Sequence, residues 1–258
     1  MTEPTALAVA RNRAVVMAEL RRLMPRMGEE RKALPFSLAA IDSHLPDGGL
    51  TCGALHEIVP AAEVCIAAAF GFIAAILARL AYPLLFVMPA YGLRPYRPHG
   101  RLHGHGLNAL GLDPARLILV ETAHRKETLW AMEEAVRSAA PAAVVGVIDT
   151  LDLKLSQRLH LAATDAGLPV FLLRPAPTLE SSAAATRWRV GTAKAARDRF
   201  GLVTQPRWHL QLERCRNGRP GQWVVEYDHV AHRFSLAAAL ADFSRARGAG
   251  EKSIKQAS

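Results

Sequence analysis

The feature that most constrains this chain is a series of short apolar runs that alternate with helix-length stretches. Strand-length runs lie at 54–59, 84–88, 117–120, 142–148 and 170–173. Helix-length patterns between them lie at 63–81, 127–139 and 156–166. Near-continuous apolar strands that alternate with helices are typical of a parallel sheet covered on both faces. The sequence therefore predicts an α/β fold with a mostly parallel sheet over about residues 40–175.

The pattern changes after residue 176. Residues 186–190 alternate like a strand, and residues 191–206 resemble a basic loop. Two alternating runs then flank Asn217-Gly218, a dipeptide typical of a β-hairpin turn. We predict three parts: a basic amphipathic helix within residues 1–32, an α/β domain over 33–233 that includes a hairpin segment at 187–228, and a C-terminal helix with a disordered tail over 234–258.

Positive charge is concentrated in the hairpin segment. The formal net charge of the chain is +9, which favours acidic partners such as nucleic acid or simply keeps the chain soluble. Residues 187–219 contain nine Lys or Arg against Asp198 and Glu213, a net charge of +7. Arginines interleaved with tryptophans can hold phosphates and stack bases, or the tryptophans can face the core and the arginines water. The candidate DNA-binding residues are Arg187, Arg189, Lys194, Arg197, Arg199 and Arg207.

Several classes of protein are disfavoured. The three cysteines are unevenly spaced, which indicates neither a disulfide framework nor a zinc site and favours a reducing, cytoplasmic setting. No secretory signal is evident, and the longest uncharged stretch, 64–78, is shorter than the about 20 residues of a membrane span. His99, His103 and His105 lack a carboxylate or cysteine beside them, so a surface loop is favoured over a metal site. We predict no metal, cofactor or membrane contact.

The turn after the first strand is where an NTPase would bind phosphate, and here it reads Val59-Pro60-Ala61-Ala62-Glu63. A phosphate loop needs glycines, a lysine and a Ser or Thr, and this turn has none of them. Pro60 removes an N–H, and Glu63 would repel a phosphate at the helix start. Asp149 ends an apolar strand, the place of a magnesium-holding carboxylate. Because the loop lysine is absent, the favoured interpretation is that Asp149 or Asp152 caps the next helix. The sequence predicts a degenerate nucleotide site at Pro60, Glu63 and Asp149, without catalytic residues.

The two terminal segments are candidates for docking. The basic helix within residues 1–32 is either a solvated helix packed on the main domain or a contact for a partner. The C-terminal helix, expected from Ser235 to about Arg247, carries its apolar residues at helical spacing. Its candidate partner-docking residues are Leu236, Leu240 and Phe243.

The residues also carry a resemblance. The loop at 42–53 followed by His56-Glu57-Ile58 is similar to the start of the ATPase core of RecA-type recombinases. The whole chain resembles the ImuA family, RecA/SulA-like proteins encoded in bacterial mutagenesis cassettes induced by DNA damage. The matching segments are Leu45-Pro46-Asp47-Gly48-Gly49-Leu50, Gly53-Ala54-Leu55-His56-Glu57, 109–116, 129–135, 186–190 and 206–223.

The resemblance implies a RecA-like core and an accessory role in SOS-induced, error-prone translesion DNA synthesis. It implies two partners, an inactive Y-family polymerase homologue and a DnaE-type polymerase, and no enzymatic activity. The missing phosphate-loop residues agree with the last point. Two alternatives stay open: a RecA-like, DNA-dependent ATPase with a degenerate phosphate loop, and a regulator that binds recombinase protomers.

Overall fold

A nine-stranded mixed sheet organises the chain. In a computed structural model, residues 33–80, 83–90, 102–174, 181–197 and 200–237 are described. The strands are β1 (Ala33–Leu34), β2 (Leu50–Thr51), β3 (Leu55–Pro60), β4 (Leu84–Pro89), β5 (Leu117–Thr122), β6 (Ala143–Val147), β7 (Val170–Leu173), β8 (Thr186–Arg197), β9 (Val203–Cys215), β10 (Gly221–Asp228) and β11 (Arg233–Leu236). The α-helices are α1 (Ala39–Asp42), α2 (Ile66–Leu77), α3 (Gly104–Ala109), α4 (Arg125–Ser138) and α5 (Leu153–Ala166).

The sheet has a parallel half and an antiparallel half. Its strand order is β11-β10-β9-β8-β3-β7-β6-β4-β5. Strands β3 to β7 pair in parallel, and β8 also runs parallel to β3. Strands β8 to β11 then pair antiparallel in chain order. The predicted α/β class, with a mostly parallel sheet and an antiparallel hairpin region, is confirmed.

Helices cover both faces of the parallel half. On one face α2 and α3 contribute Phe72 and Leu107 to a large apolar cluster. On the other face α4 and α5 contribute Met132 and Leu159 to a second cluster. Strand residues alternate between the two clusters, as the two-residue period of a strand requires. This arrangement explains why the strands of this half are apolar almost throughout.

The antiparallel half is packed on one face by aromatic side chains. Trp188 is completely buried, and Trp208 and Tyr227 are also buried. Trp188 lies 5.3 Å from Phe36 and 5.7 Å from Phe72, between ring centroids. Trp223 is half-buried, with its ring edge-on to His44. Of the two roles open to the tryptophans, packing in the core is therefore the one that Trp188 and Trp208 adopt.

Two sequence predictions are wrong in this half. Residues 191–206 are not a loop, because β8 continues to Arg197 and β9 begins at Val203. A helix does not begin at Ser235, because Ser235 and Leu236 pair with β10 in strand β11. The hairpin predicted around Asn217-Gly218 is confirmed: β9 and β10 pair there, and Asn217 has a positive φ of 60°.

Other predictions concern residues that are not described. The basic helix within 1–32 and most of the histidine-containing loop lie outside the described residues. The boundaries at 33 and 233 stay a prediction, although one sheet joins the strands from β3 to β11. In the described ranges, no helix combines the length and the apolar character that crossing a membrane requires.

Candidate functional site

Pro60, Glu63 and Asp149 lie along one edge of the sheet. Pro60 ends β3, Glu63 begins a short 3-10 helix that leads into α2, and Asp149 follows the last residue of β6 by two positions. Because β3 and β6 belong to the same parallel array, their carboxyl ends share this edge. Open α/β sheets bind ligands at the carboxyl edge. The fold thus places all three residues where a nucleotide site is expected.

The turn after β3 is short, and part of its backbone is used within the sheet. Only Ala61 and Ala62 separate Pro60 from Glu63. The N–H of Ala61 donates to the carbonyl of Val190 on β8 at 2.7 Å, and Pro60 has no N–H to donate. A phosphate cradle depends on several outward-pointing N–H groups. That this turn belongs to a degenerate nucleotide site stays a prediction.

Asp152, rather than Asp149, caps the helix that follows β6. Asp152 is the N-cap residue of α5, and its Oδ1 accepts from the N–H of Leu155 at 2.8 Å. Asp149 is exposed in the preceding loop. Its neighbour Thr150 accepts from Arg125 Nη1 through Oγ1 at 2.6 Å. Asp152 is therefore the cap of α5, and Asp149 lies before it at the carboxyl edge.

A buried charge cluster lies in the middle of the sheet. Glu57 of β3 and Arg174, just after β7, are both completely buried. Arg174 Nη1 donates to Glu57 Oε1 at 3.1 Å, and Arg187 Nε of β8 donates to Oε2 at 2.8 Å. Breaking a buried ion pair leaves an uncompensated charge and is strongly destabilising. One carboxylate thus joins three neighbouring strands, and Arg187 has a structural role.

Arg214 continues this cluster toward α5. It donates to Ser182 Oγ at 3.1 Å and to the carbonyl of Ala184 at 2.9 Å. Burial, and next the positive charge of Arg187, lower the pKa of the Arg214 guanidinium. Through these two hydrogen bonds the guanidinium attaches residues 182–184 to β9.

His56, next to Glu57 in β3, belongs to a separate network. Trp188 Nε1 donates to Thr186 Oγ1 at 3.1 Å, and that hydroxyl lies 2.8 Å from His56 Nδ1. His56 Nε2 lies 2.9 Å from the carbonyl of Thr51, which can only accept. His56 Nε2 therefore carries a proton and donates it to this carbonyl. Burial lowers its pKa from 6.5 to about 4.

Three of the six candidate DNA-binding residues form ion pairs. Besides Arg187 with Glu57, Arg189 of β8 pairs with Glu213 of β9. Arg207 Nε donates to Glu226 Oε1 of β10 at 2.6 Å. Arg207 and Glu226 face each other in register, whereas Arg189 and Glu213 lie two positions apart. The sequence-based assignment of these three arginines to DNA stays untested, but each has a carboxylate partner within the fold.

Lys194 and Arg197 lie on a projecting part of the β8–β9 hairpin. Lys194 and Arg197 are exposed near the end of β8, and Arg199 lies outside the described residues. Phe200 and Leu202 follow, with 71% and 65% of their surfaces exposed. We call residues 194–197 and 200–206 the arm. The arm combines cations and apolar side chains at the carboxyl edge of the sheet.

The candidate docking residues are only partly described. Leu236 is exposed in β11, where Val225 of β10 is its partner in register. Leu240 and Phe243 lie outside the described residues. The docking role of these residues stays a prediction. Leu236 would contact a partner from a strand rather than from a helix.

The histidines near α3 have a local structural role. His103 is the N-cap of α3, and its Nδ1 accepts from the N–H of Gly106 at 3.3 Å. Its ring lies 5.4 Å from that of His105. Among the residues with a described position, no group of three or more His, Cys, Asp or Glu is arranged to hold a metal ion.

Comparison with known proteins identifies the family. No family model matches the chain. Protein ImuA of Caulobacter vibrioides, in strain NA1000 / CB15N and in strain ATCC 19089 / CIP 103742 / CB 15, is 33% identical over 226 residues. The alignment covers 81% of this chain and 90% of that protein. The chain belongs to the ImuA family.

The segments that carry the resemblance to ImuA proteins have structural roles here. The backbone of Leu34 in β1 would lie 2.6 Å from a Cβ atom at Gly49, so the 45–50 segment needs glycine there. At the β9–β10 turn a Cβ at Gly218 would lie 2.4 Å from the carbonyl oxygen of His44. The N–H of Arg219 donates to that same oxygen at 2.9 Å. The turn is thereby fixed to the segment after α1.

Two residues of this ImuA-family protein did not stand out in the sequence. Glu57 is the one acidic residue in the β3 run, and a charge within an apolar strand is a signal for a buried ion pair. Its partner Arg174 is 117 positions away, so the pair could not be identified. Phe200 lies among small and charged residues, and only the strand pairing shows that it projects.

Proposed function

We propose that this ImuA-family protein is a non-catalytic accessory of SOS-induced, error-prone translesion DNA synthesis. The observation that carries the proposal is the match to Protein ImuA, which extends over 81% of this chain and 90% of that protein. A match of this extent involves the whole fold rather than one motif. It supports a shared role in mutagenesis after DNA damage.

We further propose that the parallel half is a RecA-like core. Its central strand β3 leads directly into α2, and helices cover both faces. The residues expected at a nucleotide site lie at the carboxyl ends of β3 and β6. These features support the proposal.

The proposed lack of catalysis depends on the turn between β3 and α2. Its sequence offers no lysine and no hydroxyl, and Ala61 uses its N–H in the sheet. Glu63 would place a carboxylate near a bound phosphate. Together these features support a scaffold that does not hydrolyse ATP.

The proposed setting is the cytoplasm, with an inactive Y-family polymerase homologue and a DnaE-type polymerase as partners. This part of the proposal rests on the family resemblance alone. A contact with DNA is supported by the basic residues within 187–219, of which Lys194 and Arg197 are exposed. Binding to a recombinase remains the alternative partnership.

Deletion and complementation in the host bacterium test the proposal. Deleting the gene should lower the mutation frequency after ultraviolet damage to near that of undamaged cells, and the wild-type gene should restore it. The Asp149→Asn variant should complement as well as the wild type, because no ATP turnover is proposed. An unchanged mutation frequency in the deletion strain contradicts the mutagenesis role, whereas failure of Asp149→Asn alone favours the ATPase alternative.

A further inference from the structure

The arm extends beyond the rest of the sheet. The last β8–β9 pair that β10 also supports is Ala193 with Arg207, since Arg207 pairs in turn with Glu226. Beyond it Ala196 pairs with Gln205 and Arg197 with Val203, with register irregularities between these pairs. At about 3.3 Å per residue, the four steps from Ala193 to Arg197 span about 13 Å. The arm is therefore a two-stranded projection at the carboxyl edge.

The cations of the arm differ from those at its base. Arg187, Arg189 and Arg207 each bind a carboxylate. Lys194 and Arg197 are exposed, and within the described part of the chain neither forms an ion pair. Arg197 Nη1 donates to the carbonyl of Gly201 at 2.5 Å, which holds the guanidinium beside the tip. Positive charge is thus available on the arm, whereas the charges of these three arginines are compensated.

The tip of the arm is apolar. Phe200 and Leu202 are 71% and 65% exposed on either side of Gly201, which has a φ of 80°. In the described part of the arm no residue is buried. Removing apolar side chains of this size from water is favourable, so Phe200 and Leu202 favour contact with a flat apolar surface. An exposed aromatic ring and exposed cations on one hairpin suit the bases and phosphates of an unpaired strand.

We propose that the arm is a binding element for single-stranded DNA, with Phe200 stacking on a base and Lys194 and Arg197 contacting the flanking phosphates. This inference rests on the proposed role at DNA and assigns that role to particular residues. The faces of paired bases are covered in a duplex, so a ring at the tip favours unpaired bases. The ion-paired arginines of the sheet face do not take part.

The test measures DNA affinity with the full-length protein. Fluorescence anisotropy follows binding to a labelled single strand of mixed sequence and to the same strand annealed to its complement. The wild type should bind the single strand more tightly. Phe200→Ala should weaken single-strand binding about tenfold, the effect of losing one stacked base. The double variant Lys194→Glu/Arg197→Glu should reduce the slope of log affinity against log salt by about 1.4, for two phosphate contacts.

Matched controls come from the neighbouring β10–β11 hairpin and from the sheet face. Val230 is 80% exposed and Arg233 is exposed. Val230→Ala therefore shortens an exposed apolar side chain, and Arg233→Glu reverses one exposed charge, both outside the arm. Arg189→Gln tests an ion-paired arginine. All three should bind DNA within about twofold of the wild type. Unfolding midpoints should confirm that every variant is folded, which is expected because the changed side chains of the arm are exposed.

Several outcomes overturn the proposal. The arm has no DNA role if the arm variants bind as tightly as the wild type, or if the controls weaken binding equally. Equal or tighter binding to the duplex, or no binding of the wild type to either DNA, contradicts the assignment to single strands. The complementation experiment is independent of this result. If the arm variants bind DNA normally and the wild-type gene restores mutagenesis, the arm proposal is rejected and the mutagenesis role stands. If the arm variants bind DNA weakly and the deletion leaves mutagenesis unchanged, only the mutagenesis role is rejected.

Discussion

The two halves of the sheet each contain an ion pair, and the two pairs differ in how deeply they are buried. In the parallel half, helices cover both faces, and Glu57 and Arg174 have no exposed surface. In the antiparallel half, one face packs on aromatic rings and the other carries the Arg189–Glu213 pair, with about a quarter of each side chain exposed. A buried charge costs several kcal/mol of desolvation and must be paired, whereas an exposed one need not be. The same kind of ion pair therefore has different importance in each half.

Removing one carboxylate from each half gives the largest expected contrast. Glu57→Gln removes the buried negative charge that Arg174 and Arg187 share, and it should lower the free energy of unfolding by about 3–5 kcal/mol. Glu213→Gln, at a partly exposed pair, should lower it by about 1 kcal/mol or less. Urea unfolding of both variants measures the difference. Similar losses in the two variants would contradict the contrast.

The stability of the protein should fall in mild acid because of His56. The pKa of His56 is about 4 in the folded protein and 6.5 as its ordinary value. As the pH falls from 6.5 toward 4, the unfolded chain binds the proton before the folded protein does. The free energy of unfolding therefore falls by about 3 kcal/mol over this range. Above pH 6.5 this contribution to stability is fully present.

The His56→Gln variant tests this assignment. It keeps a neutral side chain at this position, so the free energy of unfolding should depend less steeply on pH between 6.5 and 4. Part of the slope should remain, because burial and Arg216 also lower the pKa of His160. A variant with the full slope of the wild type would show that other groups cause it.

The smallest expected effect concerns the two acids after β6. Asp152→Ala removes the cap of α5 and should cost about 1 kcal/mol of stability. Asp149→Ala removes an exposed carboxylate, and because interactions of exposed charges are weak in water it should cost about 0.5 kcal/mol or less. Thermal unfolding of the two variants compares them. A larger loss for Asp149→Ala would mean that this carboxylate has a structural role that its exposure does not indicate.

Sequence reasoning predicted the parallel half better than the antiparallel half, for a physical reason. Strands β3 to β7 are apolar on both faces, and the intervening helices have clear periodicity. Each of these elements can therefore be predicted from its own short stretch of sequence. Residues 191–197 contain a glycine and three alanines, which have weak strand propensity. They form a strand because β9 pairs with them. Likewise, pairing with β10 overrides the helical pattern at Ser235 and Leu236.

The candidate site was predictable in position but not in its partners. That Pro60, Glu63 and Asp149 share an edge follows from a parallel sheet alone. That Arg207 pairs with Glu226 depends on the register of β9 and β10, and a shift of one residue would place the two side chains on opposite faces. Charge counting therefore could not separate the compensated arginines from the exposed cations of the arm.

The central position of β3 has a consequence for synthesis of the chain. Glu57 binds partners that follow it by 117 and 130 residues, and both sheet neighbours of β3 come equally late. At 5–20 residues per second, a ribosome needs on the order of ten seconds to supply them. Throughout this interval an apolar strand with a lone carboxylate has neither of its native neighbours. Cells that make this protein must keep that strand from pairing with other nascent chains until β8 has left the ribosome.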